Sequence, residues 1–118
     1  MTTNIKSSGL ELTPAIREYC ISKISLLEHL IPNSASARME VQLEKTSAHH
    51  QKGQVFRAEM NLVVLGGLRR AEAVADDLHT AIDLCKNEMA RELRSFKTRK
   101  ESLYMKGARF IKSLLRRN

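Results

Sequence analysis

The sequence has no tryptophan, two tyrosines and three phenylalanines among its 118 residues. That scarcity excludes a base-stacking platform, because surfaces that read unstacked nucleic-acid bases need several exposed rings. Phe56 and Phe96 fall on apolar patterns, which leaves Tyr19 and Tyr104 as isolated rings. Long apolar runs are missing too. None approaches the ~18–20 residues of a membrane span, and the polar opening Met1-Thr-Thr-Asn is unlike a signal peptide. The two cysteines, Cys20 and Cys85, lie far apart on apolar stripes, with neither disulfide-framework nor metal-ligand spacing. This predicts a reduced, cytoplasmic protein in which both are small core hydrophobes.

Catalytic signatures are equally sparse. There is no phosphate-binding glycine loop, no nucleophile elbow and no H-E-x-x-H helix. His49-His50 has no further ligands at metal spacing, and Asp76-Asp77 is accounted for by helix capping. A non-enzyme with no metal, cofactor or small-molecule substrate is expected.

What the chain does have is basic charge in one place. Residues 1–85 carry 9 basic and 10 acidic groups, a net of −1, whereas residues 86–118 carry 11 basic and 3 acidic groups, a net of +8. Such one-sided basicity is the electrostatic footprint of a polyanion binder, since clustered cations attract phosphates and release their counterions.

Along the chain, Asn4 to Gly9 reads as a short strand. Thr13-Pro14 starts a helix, with Thr13 as N-cap and Pro14 in the first turn, where its missing N–H costs nothing. Ile16, Cys20, Ile24, Leu27 and Ile31 form one stripe, predicting about four turns ended by Pro32-Asn33-Ser34. Lys23 falls inside that stripe by angle, so its stem should pack while its ammonium reaches the rim. Ala37, Met39, Val41 and Leu43 alternate with polar residues as a half-buried strand, as do Phe56, Ala58, Met60, Leu62 and Val64. Thr46 to Gln54 is read as a polar loop between them. Gly66-Gly67 suits a tight hairpin turn, and the small Ala71, Ala73 and Ala75 predict a helix lying close over the returning strand. Asp76-Asp77 caps a last helix whose stripe is Leu78, Ile82, Cys85, Met89, Leu93 and Phe96, extending toward Lys100.

The order strand, helix, three strands, helix predicts an α+β, two-layer β-α-β-β-β-α domain over 1–100, with a four-stranded sheet carrying both helices on one face. Residues 101–118 form a basic amphipathic extension. On the last helix, Lys86, Arg94, Lys97 and, near the edge, Lys100 fall along one flank beside the buried stripe at ~100° per residue, with Arg91 further round. Successive ridge cations can follow a phosphate backbone, and arginine adds bidentate geometry. The alternative is a solvated face balanced by Glu88 and Glu92.

These residues resemble the ribosome hibernation promoting factor and ribosome-associated inhibitor family, in its short form. The resemblance is carried by Asn4-Ile-Lys, by Leu10-Glu-Leu-Thr-Pro-Ala-Ile-Arg-Glu-Tyr19 with Lys23-Ile and Leu27-Glu28, and by Val41-Gln-Leu-Glu-Lys45. Gly66-Gly67 before Ala71-Glu-Ala73, Asp77-Leu-His-Thr-Ala-Ile-Asp83 and Met89-Ala-Arg-Glu-Leu93 extend it, in order, from about Asn4 to Lys100. It implies a topology similar to double-stranded RNA-binding domains. It further implies binding to the small ribosomal subunit and its RNA in the decoding channel, blocking translation in stressed or stationary-phase cells, by a protein that is monomeric when free. Arg17, Lys23 and Arg91 are the basic residues that match the family by position. Glu88 and Leu26 depart from it, standing where family members commonly carry lysine. The competing classes are a general structured-RNA-binding module and a protein-interaction adaptor of the sigma-factor-modulating kind.

Overall fold

The computed structural model describes residues 1–47, 54–64 and 67–95. Four strands, β1 (Thr2–Ser8), β2 (Arg38–Ser47), β3 (Gln54–Val64) and β4 (Gly67–Ala75), form one sheet in the order β1-β2-β3-β4. β1 runs parallel to β2, and the remaining pairs are antiparallel. Helix α1 (Pro14–Ser25) makes the crossover that a parallel pair requires, and α2 is helical over 78–95. The α+β sheet-and-two-helix architecture expected from the order of elements is the one observed.

Register explains which side faces the helices. Val41 lies between Ile5 and Met60, Leu43 opposite Ala58, and Met60 opposite Ala71. All of these are buried, together with Met39, Leu62 and Val64. A one-residue slip would turn the whole set to solvent. Cys20, Ile24 and Leu27 from the α1 region and Leu78, Ala81, Ile82, Cys85, Met89, Ala90 and Leu93 from α2 complete a single core on that face. Fully burying an aliphatic side chain of this size contributes roughly 1.5–3 kcal/mol, so the sheet face and two stripes hold each other in place. The alanines of β4 do admit a helix: the Cys85 thiol of α2 sits 3.5 Å from the Ala71 carbonyl oxygen and donates to it.

Helix ends follow their caps. The Thr13 hydroxyl accepts the Ile16 N–H at 3.2 Å, with Pro14 in the first turn. For α2 the cap is Asp77. Its Oδ2 accepts the Thr80 N–H at 3.0 Å and the Thr80 hydroxyl at 3.1 Å, and its carbonyl accepts the Ala81 N–H. Those bonds hold the Asp77 carboxyl below the usual aspartate range, the Thr80 N–H contributing most.

Three boundaries differ from expectation. The α-helical part of α1 stops at Ser25, and the stripe is carried on by a 3-10 turn over Glu28–Leu30 that still buries Leu27 and Ile31. Asn33, at φ 50°, then turns the chain in the left-handed region. Strands β2 and β3 extend to Ser47 and from Gln54, into the segment expected as loop; His49-His50 lies outside the described residues. Gly67 belongs to β4, paired with Val64, where a turn residue was expected; Gly66 lies outside the described residues.

Two predictions follow from the packing. Gly9 has φ +74°, and a Cβ there would lie 2.4 Å from the Lys45 carbonyl oxygen. Gly9→Ala should therefore cost more than the ~1–2 kcal/mol of a left-handed non-glycine residue alone, read as a lowered urea midpoint. Burial pushes the Cys20 thiol up to about 11 and the Cys85 thiol up to about 12. A thiol reagent at mildly alkaline pH should leave both unmodified in the folded protein and modify both in denaturant.

Candidate nucleic-acid interface

The stripe that anchors α2 fixes what its free surface presents. With Met89 and Leu93 turned to the sheet, a neighbouring row runs along the helix through His79, Asp83, Lys86, Asn87, Ala90 and Arg94, within roughly 100° of arc. The C-terminal part of this row is an open groove of about 600 Å³ lined by Lys86, Asn87, Ala90, Arg91, Arg94 and Ser95. Ala90 is buried, Lys86 is half-buried, and Arg91 and Arg94 are exposed. The structure thus brings Lys86, Arg91 and Arg94 together around one depression, although the angular reading set Arg91 apart. An arginine side chain is long enough to reach back over a small residue. Lys97 and Lys100 lie outside the described residues.

The partners of Lys86 and Arg91 weaken these two cations only modestly. The Lys86 ammonium has the neutral amide oxygen of Asn87 at 3.4 Å. Arg91 pairs with Glu88 at 3.2 Å, one turn away. With the Arg91 side chain 78% exposed, that pair is screened by water and worth little. A phosphate can displace or share such a partner.

The N-terminal part of the row is a clasp to α1 that sequence reasoning missed. The Tyr19 hydroxyl donates to Asp83 Oδ1 at 2.6 Å, and the Lys23 ammonium reaches the same oxygen at 3.3 Å. Lys23 also lies over the Tyr19 ring, 5.3 Å from its centre, while the His79 ring meets Tyr19 edge-on at 4.4 Å. The Asp83 hydrogen bond is the largest influence on both partners and raises the pKa of Tyr19 and of Lys23. Lys23 therefore stays charged, and it is half-buried in line with its position in the stripe. Arg17 is exposed on the same helix. The visible hint was a pair of i,i+4 spacings, Tyr19 with Lys23 and His79 with Asp83; nothing local joins the two pairs.

The opposite face of the sheet is different in kind. There Arg57 contacts Glu44, Glu59 and Glu72, and Arg70 contacts Glu59 and Glu72. Glu72 and Glu59 hold the Arg57 guanidinium firmly charged, with its pKa raised. Hydrogen bonds from Asn61 and then Arg57 hold the Glu59 carboxyl low. Cations locked in such a network are poor phosphate ligands. Among the described residues, no group of three or more His, Cys, Asp or Glu side chains is placed to hold a metal ion. No helix among them is long and apolar enough to cross a membrane.

The chain is similar to several known proteins. The family model described as sigma 54 modulation protein / S30EA ribosomal protein matches residues 3–101. The ribosome hibernation promotion factor of Bacillus subtilis (strain 168) is 30% identical over 99 residues, covering 84% of this chain and 50% of that protein. Its Deinococcus radiodurans counterpart of the same name is 32% identical over 102 residues, covering 86% and 50%. The Staphylococcus aureus (strain COL) protein of that name is 34% identical over 95 residues, covering 80% and 47%. The chain thus spans about half the length of the curated relatives it matches. Among solved structures, the Thermus thermophilus Protein Y N-terminal domain superposes with a TM-score of 0.65 at 28% identity, covering 81% of this chain and 99% of that one. A ribosomal subunit interface protein from Coxiella burnetii gives 0.66 at 21% identity, covering 83% and 99%, a likeness of fold. With that family model matching residues 3–101, the chain belongs to the sigma 54 modulation protein / S30EA ribosomal protein family.

Proposed function

We propose that this protein is a ribosome hibernation factor that lodges in the decoding channel of the small ribosomal subunit and inhibits translation under stress or in stationary phase. The supporting observation is the cluster of Lys86, Arg91 and Arg94 around one open groove, beside the helix stripe that anchors α2, in a family whose relatives carry that name. Guanidinium and ammonium groups spaced along a helix meet phosphates at successive positions of an RNA backbone. Lys97 and Lys100 continue the spacing in sequence, and Arg17 and Lys23 add cations from α1. Phosphate contacts of this kind position a protein without reading bases, which suits a folded RNA of fixed shape.

Inhibition then needs no chemical step. The rigid two-layer body occupies space that messenger and transfer RNA require, and ionic contacts with ribosomal RNA hold it there. It acts as a monomer, in the cytoplasm where ribosomes are, with neither cofactor nor catalysis. Residues 101–118 are an accessory basic segment, and domain 1–100 supplies most of the affinity.

Three measurements test this. Replacing Lys86, Arg94 and Lys97 together with glutamine should weaken binding to isolated small subunits. It should also lower the slope of log K against log salt by about 2–3, at ~0.7–0.9 per lost phosphate contact. Unchanged binding at moderate salt would remove the groove from the interface. Sedimentation of a stationary-phase lysate should place the protein with small subunits or assembled ribosomes, not at the top of the gradient. Deleting 101–118 should leave most ribosome occupancy intact; loss of a protein partner with ribosome binding unaltered or absent would instead favour an adaptor role.

A further inference from the structure

Asp83 is the only acidic residue in the row formed by His79, Asp83, Lys86, Asn87, Ala90 and Arg94. Its structural duty is to accept the Tyr19 hydroxyl, and a neutral amide oxygen would serve that purpose equally. The carboxylate does something more: it stands 3.3 Å from the Lys23 ammonium. The pair is half-exposed, at 30% for Lys23 and 42% for Asp83, so it forms in contact with solvent and can be opened. Lys23 is further steadied by the Tyr19 ring below it.

We propose that Asp83 is a specificity-determining residue that withholds Lys23 from loosely placed phosphates. Resting on the ribosomal function proposed above, this assigns Asp83 the rejection of arbitrary RNA. A phosphate approaching Lys23 alone meets a local charge near zero and must compete with a bond already made. An RNA surface of the right shape engages Lys86 and Arg94 at the same time, and its phosphate then displaces Asp83 as part of a multipoint contact. Binding partners are separated by the cost imposed on the wrong one, a common route to specificity. Affinity for unselected RNA is given up in exchange.

The test uses the full chain and two probes, a duplex RNA of arbitrary sequence and isolated small ribosomal subunits. Asp83→Asn keeps an oxygen acceptor for the Tyr19 hydroxyl, and thermal melting checks that the clasp still folds. The variant should bind duplex RNA about five- to tenfold more tightly at ~0.1 M salt, with the advantage vanishing near ~1 M, as expected for one added phosphate contact. Lys23→Gln should weaken duplex binding by a similar factor, and the double variant should return to within about twofold of the parent. Subunit affinity of Asp83→Asn should change less than duplex affinity. If Asp83→Asn leaves duplex binding unchanged or weakens it as Lys23→Gln does, Asp83 positions Lys23 instead of withholding it, and the proposal is overturned. An equal gain on both probes overturns it as well, because no discrimination then exists. Failure of the parent protein to bind subunits at all defeats the ribosomal function instead, and the duplex measurements still decide whether Asp83 restrains Lys23.

Discussion

The close seat of α2 on β3 and β4 determines where every charge of interest ends up. Ala58 and Ala71 keep the sheet surface low, so the Cys85 thiol can reach a strand carbonyl. Met89 and Leu93 then have one available direction, into the core. A helix pinned by such a stripe cannot rotate about its axis without exposing it, at a cost of several kcal/mol. The cationic row therefore has a fixed angular position because its apolar neighbours do. Core packing and the cationic surface are two readings of one periodicity.

The second constraint ties the helices to one another. Tyr19, Lys23, His79 and Asp83 make a half-buried polar joint in which hydrogen bond, ion pair, cation–π contact and ring contact share three or four side chains. Groups that share partners in this way do not contribute additively. The joint sets the spacing between the cations of α1 and those of α2.

Much of this was legible in the sequence because one-sided burial imposes a period. The alternations around Met39 and Met60 and the stripe from Leu78 to Leu93 announced the layers. Periodicity failed where different backbones present nearly the same face: Leu27 and Ile31 stay on the stripe although a 3-10 turn has replaced the α-helix. It failed again at Gly67, which strand register, set by pairs such as Met60 with Ala71, places in β4. The cationic groove was largely visible, as same-helix positions are, and Arg91, further round by angle, also lines it. The contact between Tyr19 and Asp83 spans 64 residues, and no local pattern joins residues so distant. Its two halves could be seen, but not their meeting.

The far side of the sheet has a consequence of its own. Among the described residues, Lys6, Arg38, Arg57 and Arg70 share that side with Glu40, Glu44, Glu59 and Glu72, a mosaic balanced in charge. A face whose charges cancel draws phosphates far less than one that carries unbalanced cations.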